Sequence, residues 1–259
     1  MGIPLNDETT LYNLHFADDE VVVAQDKEDL QFMTTRLLSE YEKWGLSVNM
    51  SKTKYLCIGQ AAETLHLDGN IEIGSCNKYT YLGTQIDYTG RTESEIEERI
   101  LKGKKVSGCL NSVLWSKHIS YEKKHAIYNS IFKSIVLYGC ETWHLTSRME
   151  QRLLALEIDF WRRSAGISRM ERIANIEIRE IMHVQQAIIN EIEKRQLVWY
   201  GHVERMSEDR IPKKVLKSIS ELSSVFGPHS SIHQVSAGIH TIRKEKKGKA
   251  ESNMDRRNT

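Results

Sequence analysis

Phe16-Ala17-Asp18-Asp19 sets two carboxylates side by side between two strand-like runs. Leu11-Tyr12-Asn13-Leu14-His15 precedes them and Glu20-Val21-Val22-Val23-Ala24 follows. The β-branched and aromatic content of both flanks reads as strand. No Gly or Pro interrupts them, so the spacing predicts a tight hairpin over about residues 11–25 with the Asp pair at its tip. Adjacent negative charges repel. A chain tolerates them on a solvated turn, where Asp is a favoured residue. It also tolerates them at a metal site, where a divalent cation turns repulsion into binding. The four residues alone leave both readings open.

Outward from the hairpin, Val21 to Ala24 has the unbroken apolar character of a strand buried on both faces. Asp26 is placed to cap a helix whose first turn holds Glu28 and Asp29, where negative charge complements the dipole. Leu30, Met33, Leu37, Leu38, Tyr41 and Trp44 recur at helical spacing as its core face, and Gly45 ends it. Leu46–Asn49 and Lys54–Ile58 read as short strands around a polar turn that holds Lys52. Asp68-Gly69 marks a hairpin between Leu65 and Ile73, and Lys78 to Asp87 alternates as a strand.

After Gly90 the period becomes helical and stays so. Thr92 with Glu95, and Ser147 with Glu150, have capping-box spacing. The first helix is expected to run to about Trp115 and a second from Ser120 to about Tyr138. A third ends near Ala165, a short fourth is capped by Asn175, and a long fifth runs over about 185–206 and carries Ile188, Ile192, Leu197, Trp199 and Val203. Lys102, Lys104, Lys105, Lys123 and Lys124 are expected on outer faces, free for phosphate contact.

Several short motifs recur in a fixed order. Phe16-Ala17-Asp18-Asp19 is followed by Gly45-Leu46-Ser47-Val48-Asn49-Met50-Ser51-Lys52-Thr53-Lys54, then by Tyr81-Leu82-Gly83. Leu137-Tyr138-Gly139-Cys140-Glu141-Thr142-Trp143 and Trp199-Tyr200-Gly201-His202-Val203 come later. This series resembles the C-terminal part of the endonuclease–reverse transcriptase of non-LTR retrotransposons, over about residues 2–216. The resemblance implies an RNA-directed DNA polymerase, a nucleotidyltransferase working by phosphoryl transfer with two Mg²⁺ ions roughly 4 Å apart. It implies that Asp18 and Asp19 are the catalytic and metal-binding pair and that Lys52 lies near the departing pyrophosphate. Tyr81, Leu82 and Gly83 take the part of a primer grip. The implied partners are an RNA template, a DNA primer and deoxynucleoside triphosphates.

Two departures qualify that expectation. The family's other metal-binding Asp and its fingers lie upstream of Met1, so the chain is expected to be a fragment that does not polymerise alone. Glu20 stands where the family usually has an apolar residue. The alternative expectation is a non-catalytic, helical nucleic-acid-binding module.

Composition sets the outer limits. Residues 1–100 hold 8 Lys and Arg against 18 Asp and Glu, and residues 101–259 hold 28 against 17. The overall charge of +1 therefore hides a split of −10 and +11; the basic half reads either as solvated helix faces or as a nucleic-acid contact, and the resemblance implies the second. No run of 18 apolar residues occurs, so no membrane span is expected. Cys57, Cys76, Cys109 and Cys140 are far apart and read as reduced thiols. With no secretory pattern at the N-terminus, an intracellular location, the nucleus included, is expected.

The expected fold class is α+β: a partial reverse-transcriptase palm, an antiparallel sheet plus one helix, followed by an all-α thumb-like half. Residues 1–88 form the palm part, 89–165 the thumb, 166–217 a helical region after it, and 218–259 a disordered basic tail. The strand that should lie beside the Phe16 hairpin is expected to be missing, leaving an open sheet edge.

Overall fold

A computed structural model describes residues 1–60, 63–226 and 238–246. The chain is a mixture of helices and short antiparallel sheets. It divides into two compact units. The first comprises Met1–Tyr79, Asp87–Thr89 and the described residues from Leu222 on; the second comprises Thr80–Ile86 and Gly90–Glu221.

In the first unit, β1 (Ile3–Asn6) pairs with β2 (Thr9–Leu11), and β3 (Asn13–Phe16) pairs with β4 (Asp19–Ala24). α1 (Lys27–Lys43) starts as expected: the Asp26 carboxylate accepts from the Asp29 amide at 2.7 Å. Leu30 and Tyr41 are buried, and Met33, Leu37 and Leu38 pack against the same core. Trp44 departs from that stripe and is 80% exposed. It is the last residue before Gly45, whose φ of +68° turns the chain out of the helix. β5 (Leu46–Val48) and β6 (Lys54–Cys57) follow, then the β7 (Leu65–Leu67) and β8 (Ile71–Ile73) hairpin. β9 (Lys78–Tyr81) and β10 (Thr84–Asp87) form the next hairpin, of which Thr80–Ile86 belong to the second unit.

The helical unit holds α2 (Glu93–Cys109), α3 (Asn111–Trp115), α4 (Tyr121–Ile127), α5 (Lys133–Val136), α6 (Ser147–Ala165), α7 (Asn175–Ile181), α8 (Ile188–Glu204) and most of α9 (Ile211–Phe226). One core runs through it, from Ile96 and Ile100 through Phe132, Leu153, Phe160 and Trp161 to Ile178 and Ile192. Residues 89–165 and 166–217, expected as separate regions, thus share that core. The helix expected over 120–138 is broken by a π-helical turn at Tyr128–Phe132.

Three expected caps are corrected. Thr92 makes no capping bond; its hydroxyl pairs with the backbone of His144, and Glu95 accepts from the Gln85 amide instead. Thr146 rather than Ser147 caps α6, and Ala174 precedes α7 while Asn175 accepts from Arg162. In each case a tertiary partner, or the neighbouring side chain, competes successfully for the capping group. Of the five apolar residues expected on α8, Ile188, Ile192 and Val203 are buried, whereas Leu197 is 71% exposed and Trp199 half-exposed.

The tail expectation is also corrected. α9 continues to Phe226, and Gly238–Lys246 forms β11. β11 pairs antiparallel with β4 on one side and with β6 and β5 on the other, in the sheet position expected to be empty. Ile239, Thr241 and Ile242 give this stretch the β-branched content of a strand despite its basic end. Residues 227–237 and 247–259 of the expected tail lie outside the described residues. Among the described residues no helix is long and apolar enough to cross a membrane.

Candidate nucleic-acid interface

The Asp pair lies where the hairpin turns. Ala17 takes a left-handed φ of +50°, Asp18 is exposed, and Asp19 opens β4 opposite Phe16. Glu20, next along the strand, projects to the opposite face from Asp19. It is fully buried, accepts from the Asn13 side-chain amide at 3.0 Å, and has the His15 ring nitrogen at 3.3 Å. The additional carboxylate is thereby tied to β3 and does not join the turn.

Lys52 is exposed in the turn between β5 and β6. That turn is built by Asn49, whose side chain accepts from the Lys52 amide at 3.2 Å and whose carbonyl accepts from the Thr53 hydroxyl at 2.9 Å. The Lys52 carbonyl accepts from Tyr79 at 3.4 Å. The sheet register fixes the turn's level. Thr241 pairs with both Val21 and Lys54, and Lys244 pairs with Val48. Residues 49–53 therefore lie across β11 from Glu20 and Asp19, about 10 Å away at two strand spacings. The fold brings Asp19 and the Lys52 turn to one end of one sheet.

Among the described residues no group of three His, Cys, Asp or Glu is arranged to hold a metal ion. Asp18 and Asp19 fit the one or two carboxylates that a Mg²⁺ ion takes when water and phosphate complete its octahedron. They do not by themselves fix a pair of ions.

The Tyr81-Leu82-Gly83 stretch is the tip of the β9–β10 hairpin, with Leu82 at φ +47° and Gly83 at φ +83°. The Tyr138 hydroxyl donates to the Leu82 carbonyl at 2.7 Å. The Arg99 guanidinium donates to the Gly83 carbonyl, pairs with Glu95, and stacks 4.6 Å from the centre of the Tyr138 ring. Glu95 closes the set by accepting from the Gln85 amide at 2.6 Å. Two motifs separated by more than 50 residues are thus joined, and Gln196 of α8 donates to the Cys140 and Trp143 carbonyls at 3.0 and 2.8 Å. Tyr138 is visible in its motif; Arg99 and Gln196 carry no sequence signal of these roles, because their acceptors are backbone carbonyls far along the chain.

The five lysines separate. Lys104, Lys105 and Lys123 are exposed, and Lys102 is half-exposed with Glu98 at 3.6 Å. Lys124 is a correction: it is only 3% exposed and donates to the Ser164 carbonyl at 2.6 Å. It shares the helix face of Tyr128 and Phe132, one and two turns on, so it points to the core. Burial pushes its ammonium below the usual lysine range. Lys124 is not open to phosphate.

Together these features define a mixed α/β chain with an acidic hairpin in one unit and a locked turn in the helical other. A transposon-derived protein of Caenorhabditis elegans is 29% identical to it over 217 residues, 77% of this chain and 74% of the relative. That similarity fits a transposable-element origin. No protein-family model and no solved structure matches the chain.

Proposed function

We propose that this chain is the catalytic-hairpin and thumb part of a non-LTR retrotransposon reverse transcriptase, an RNA-directed DNA polymerase. Its own share of the work is to hold the RNA–DNA primer-template. The observation that carries this reading is the lock of Leu82 and Gly83 by Tyr138 and Arg99. A turn meant to position a primer end must be rigid, and these two side chains hold this one by its carbonyls. Lys102, Lys104, Lys105 and Lys123 supply charge along α2 and α4 for the duplex backbone. Mg²⁺, when bound, supplies charge neutralisation for phosphoryl transfer. Asp18 and Asp19 are the residues that hold it, and Lys52 lies at the same end of the sheet. Because two carboxylates do not fix an ion pair, the chain by itself is expected to bind primer-template without extending it.

The test is anisotropy of a fluorescent RNA–DNA primer-template across a salt series. Binding is expected to weaken steeply with salt, and Lys102, Lys104 and Lys105→Ala together to flatten that dependence. No binding at low salt would sink the reading. The exposed Lys104, Lys105 and Lys123, which need no metal to meet a phosphate, serve equally a second reading, a non-catalytic nucleic-acid-binding module. Under it, Asp18→Asn and Asp19→Asn leave binding unchanged with Mg²⁺ present. Under the first, they remove a Mg²⁺-dependent gain in affinity.

A further inference from the structure

One cleft in the helical unit shares only Lys104 with the sites above. It is about 940 Å³ in volume and lies between α2, α3, α6 and the segment after α6. This is the size range of built ligand sites. Ile100, Leu156 and Ile167 line it with apolar surface, and Trp115 stands half-exposed at its side. Around these stand Lys104, Arg152, Arg162, Arg163 and Arg169, against one carboxylate, Asp159.

The guanidiniums are held in place. Arg163 donates to Asp159 at 2.9 Å and to Asn111 at 2.6 Å, and Arg169 donates to the other Asp159 oxygen at 2.8 Å. Arg162 is fixed by the Ile173 carbonyl and by Asn175 at 3.0 Å, and its other terminal nitrogen is buried without a protein partner. Arg152 is held by Glu97. An Arg has five N–H donors in a planar fork, so each retains donors after these bonds. Fixed guanidiniums around an apolar floor suit phosphates joined to a flat, weakly polar group.

The geometry points to this cleft as a binding site for an unpaired segment of nucleic acid. Trp115 stacks a base, and Arg163, Arg169 and Lys104 hold the flanking phosphates. The inference rests on the reading that the chain binds nucleic acid, and names the strand state. A duplex offers a protein surface mainly its phosphates and groove edges, and has no free base face to cover Trp115 and the apolar floor. An unpaired strand does, and aromatic stacking of this kind is insensitive to sequence.

The experiment uses the full chain, a fluorescent single-stranded RNA of about 12 nucleotides, within the range of strand lengths that such sites cover, and a blunt duplex of the same sequence. Trp115→Ala is expected to weaken single-strand binding at least about fivefold, at about 1 kcal/mol or more per stacked base. Trp115→Phe retains binding, and duplex binding by Trp115→Ala is unchanged. Arg169, whose side chain is 73% exposed, tests the phosphate half without touching the core. Arg169→Ala is expected to lower the salt slope of single-strand binding by about 0.7, for the one phosphate it no longer neutralises. The inference is overturned if folded Trp115→Ala binds the single strand as wild type does, or loses both ligands equally. It is overturned equally if Arg169→Ala leaves the slope unmoved. Duplex binding without single-strand binding sinks this site alone, whereas absence of both in the wild-type chain sinks the proposed function with it.

Discussion

Gly83 shows how little freedom the hairpin tip has. Its φ of +83° lies in the region L residues rarely adopt. A Cβ there would meet the Tyr138 ring at 3.2–3.4 Å, and that ring is pinned by its bond to Leu82 and by Arg99 over its face. Gly83→Ala therefore adds backbone strain and crowding that cannot relax. A decrease of about 1–3 kcal/mol is expected in urea unfolding followed by far-UV circular dichroism. An unchanged midpoint would mean that the turn is not locked. At this level the sequence is readable only in part. The Tyr81-Leu82-Gly83 and Leu137-Tyr138-Gly139 motifs are visible as strings, but their meeting is not. Lys123 and Lys124 look alike as neighbours, and only the helix face separates the solvated one from the one on the Ser164 carbonyl.

Among the elements, α4, the π-helical turn and α6 carry the helical core. Tyr128 is buried in the π-turn among Phe132, Phe160 and Trp161, and its hydroxyl donates to Glu157 at 2.7 Å. Glu157, fully buried, takes its other bond from Arg179 of α7 at 2.8 Å. This polar chain ties three helices at one register, which apolar periodicity alone does not specify. Sequence patterning locates the helices well, because the 3.6 period survives in α1, α2 and α6. It fails at their ends, where Thr92, Glu95 and Asn175 serve tertiary bonds instead of caps. The Tyr128 environment also has a pH consequence. Burial, and then the Glu157 charge, push its phenol above the usual tyrosine range. The unfolded phenol ionises near pH 10. Below that value the native state keeps its full advantage; above it the unfolded chain loses a proton that the native chain retains, so stability falls. Urea midpoints are expected to drop between about pH 9 and about pH 11, and less steeply in Tyr128→Phe. A remainder should persist from Tyr55, which is pushed up to about 12, mainly by burial. Equal slopes in the two proteins would exclude Tyr128 as the source.

At the scale of the whole molecule, the charge split and the structural split do not coincide, because the described residues from Leu222 on belong to the basic half of the sequence and to the first unit. The order of motifs anticipates a sheet-and-helix part before an all-helical part. What could not be read from local pattern is β11, because strand pairing across about 200 residues leaves no periodic trace and its basic end imitates a tail. Yet β11 is the strand on which the first unit's sheet depends. It is the second neighbour of β4 and the strand to which both β5 and β6 pair. Ending the chain at Phe226 would leave β4 held only by β3 and its packing. The edge amides of β4, β5 and β6 would then open to water. The core around Phe132, Phe160 and Trp161 belongs to the second unit. Hydrogen exchange of the two chains is therefore expected to differ in one unit only. Amides of Val22, Ala24 and Leu56, which face β11, should lose protection in the shortened chain, whereas Val23 keeps its bond to the Tyr12 carbonyl and the amides of α6 keep theirs. Equal protection of the β4 amides in both chains would remove β11 from the sheet, and with it the assignment of the tail to the first unit.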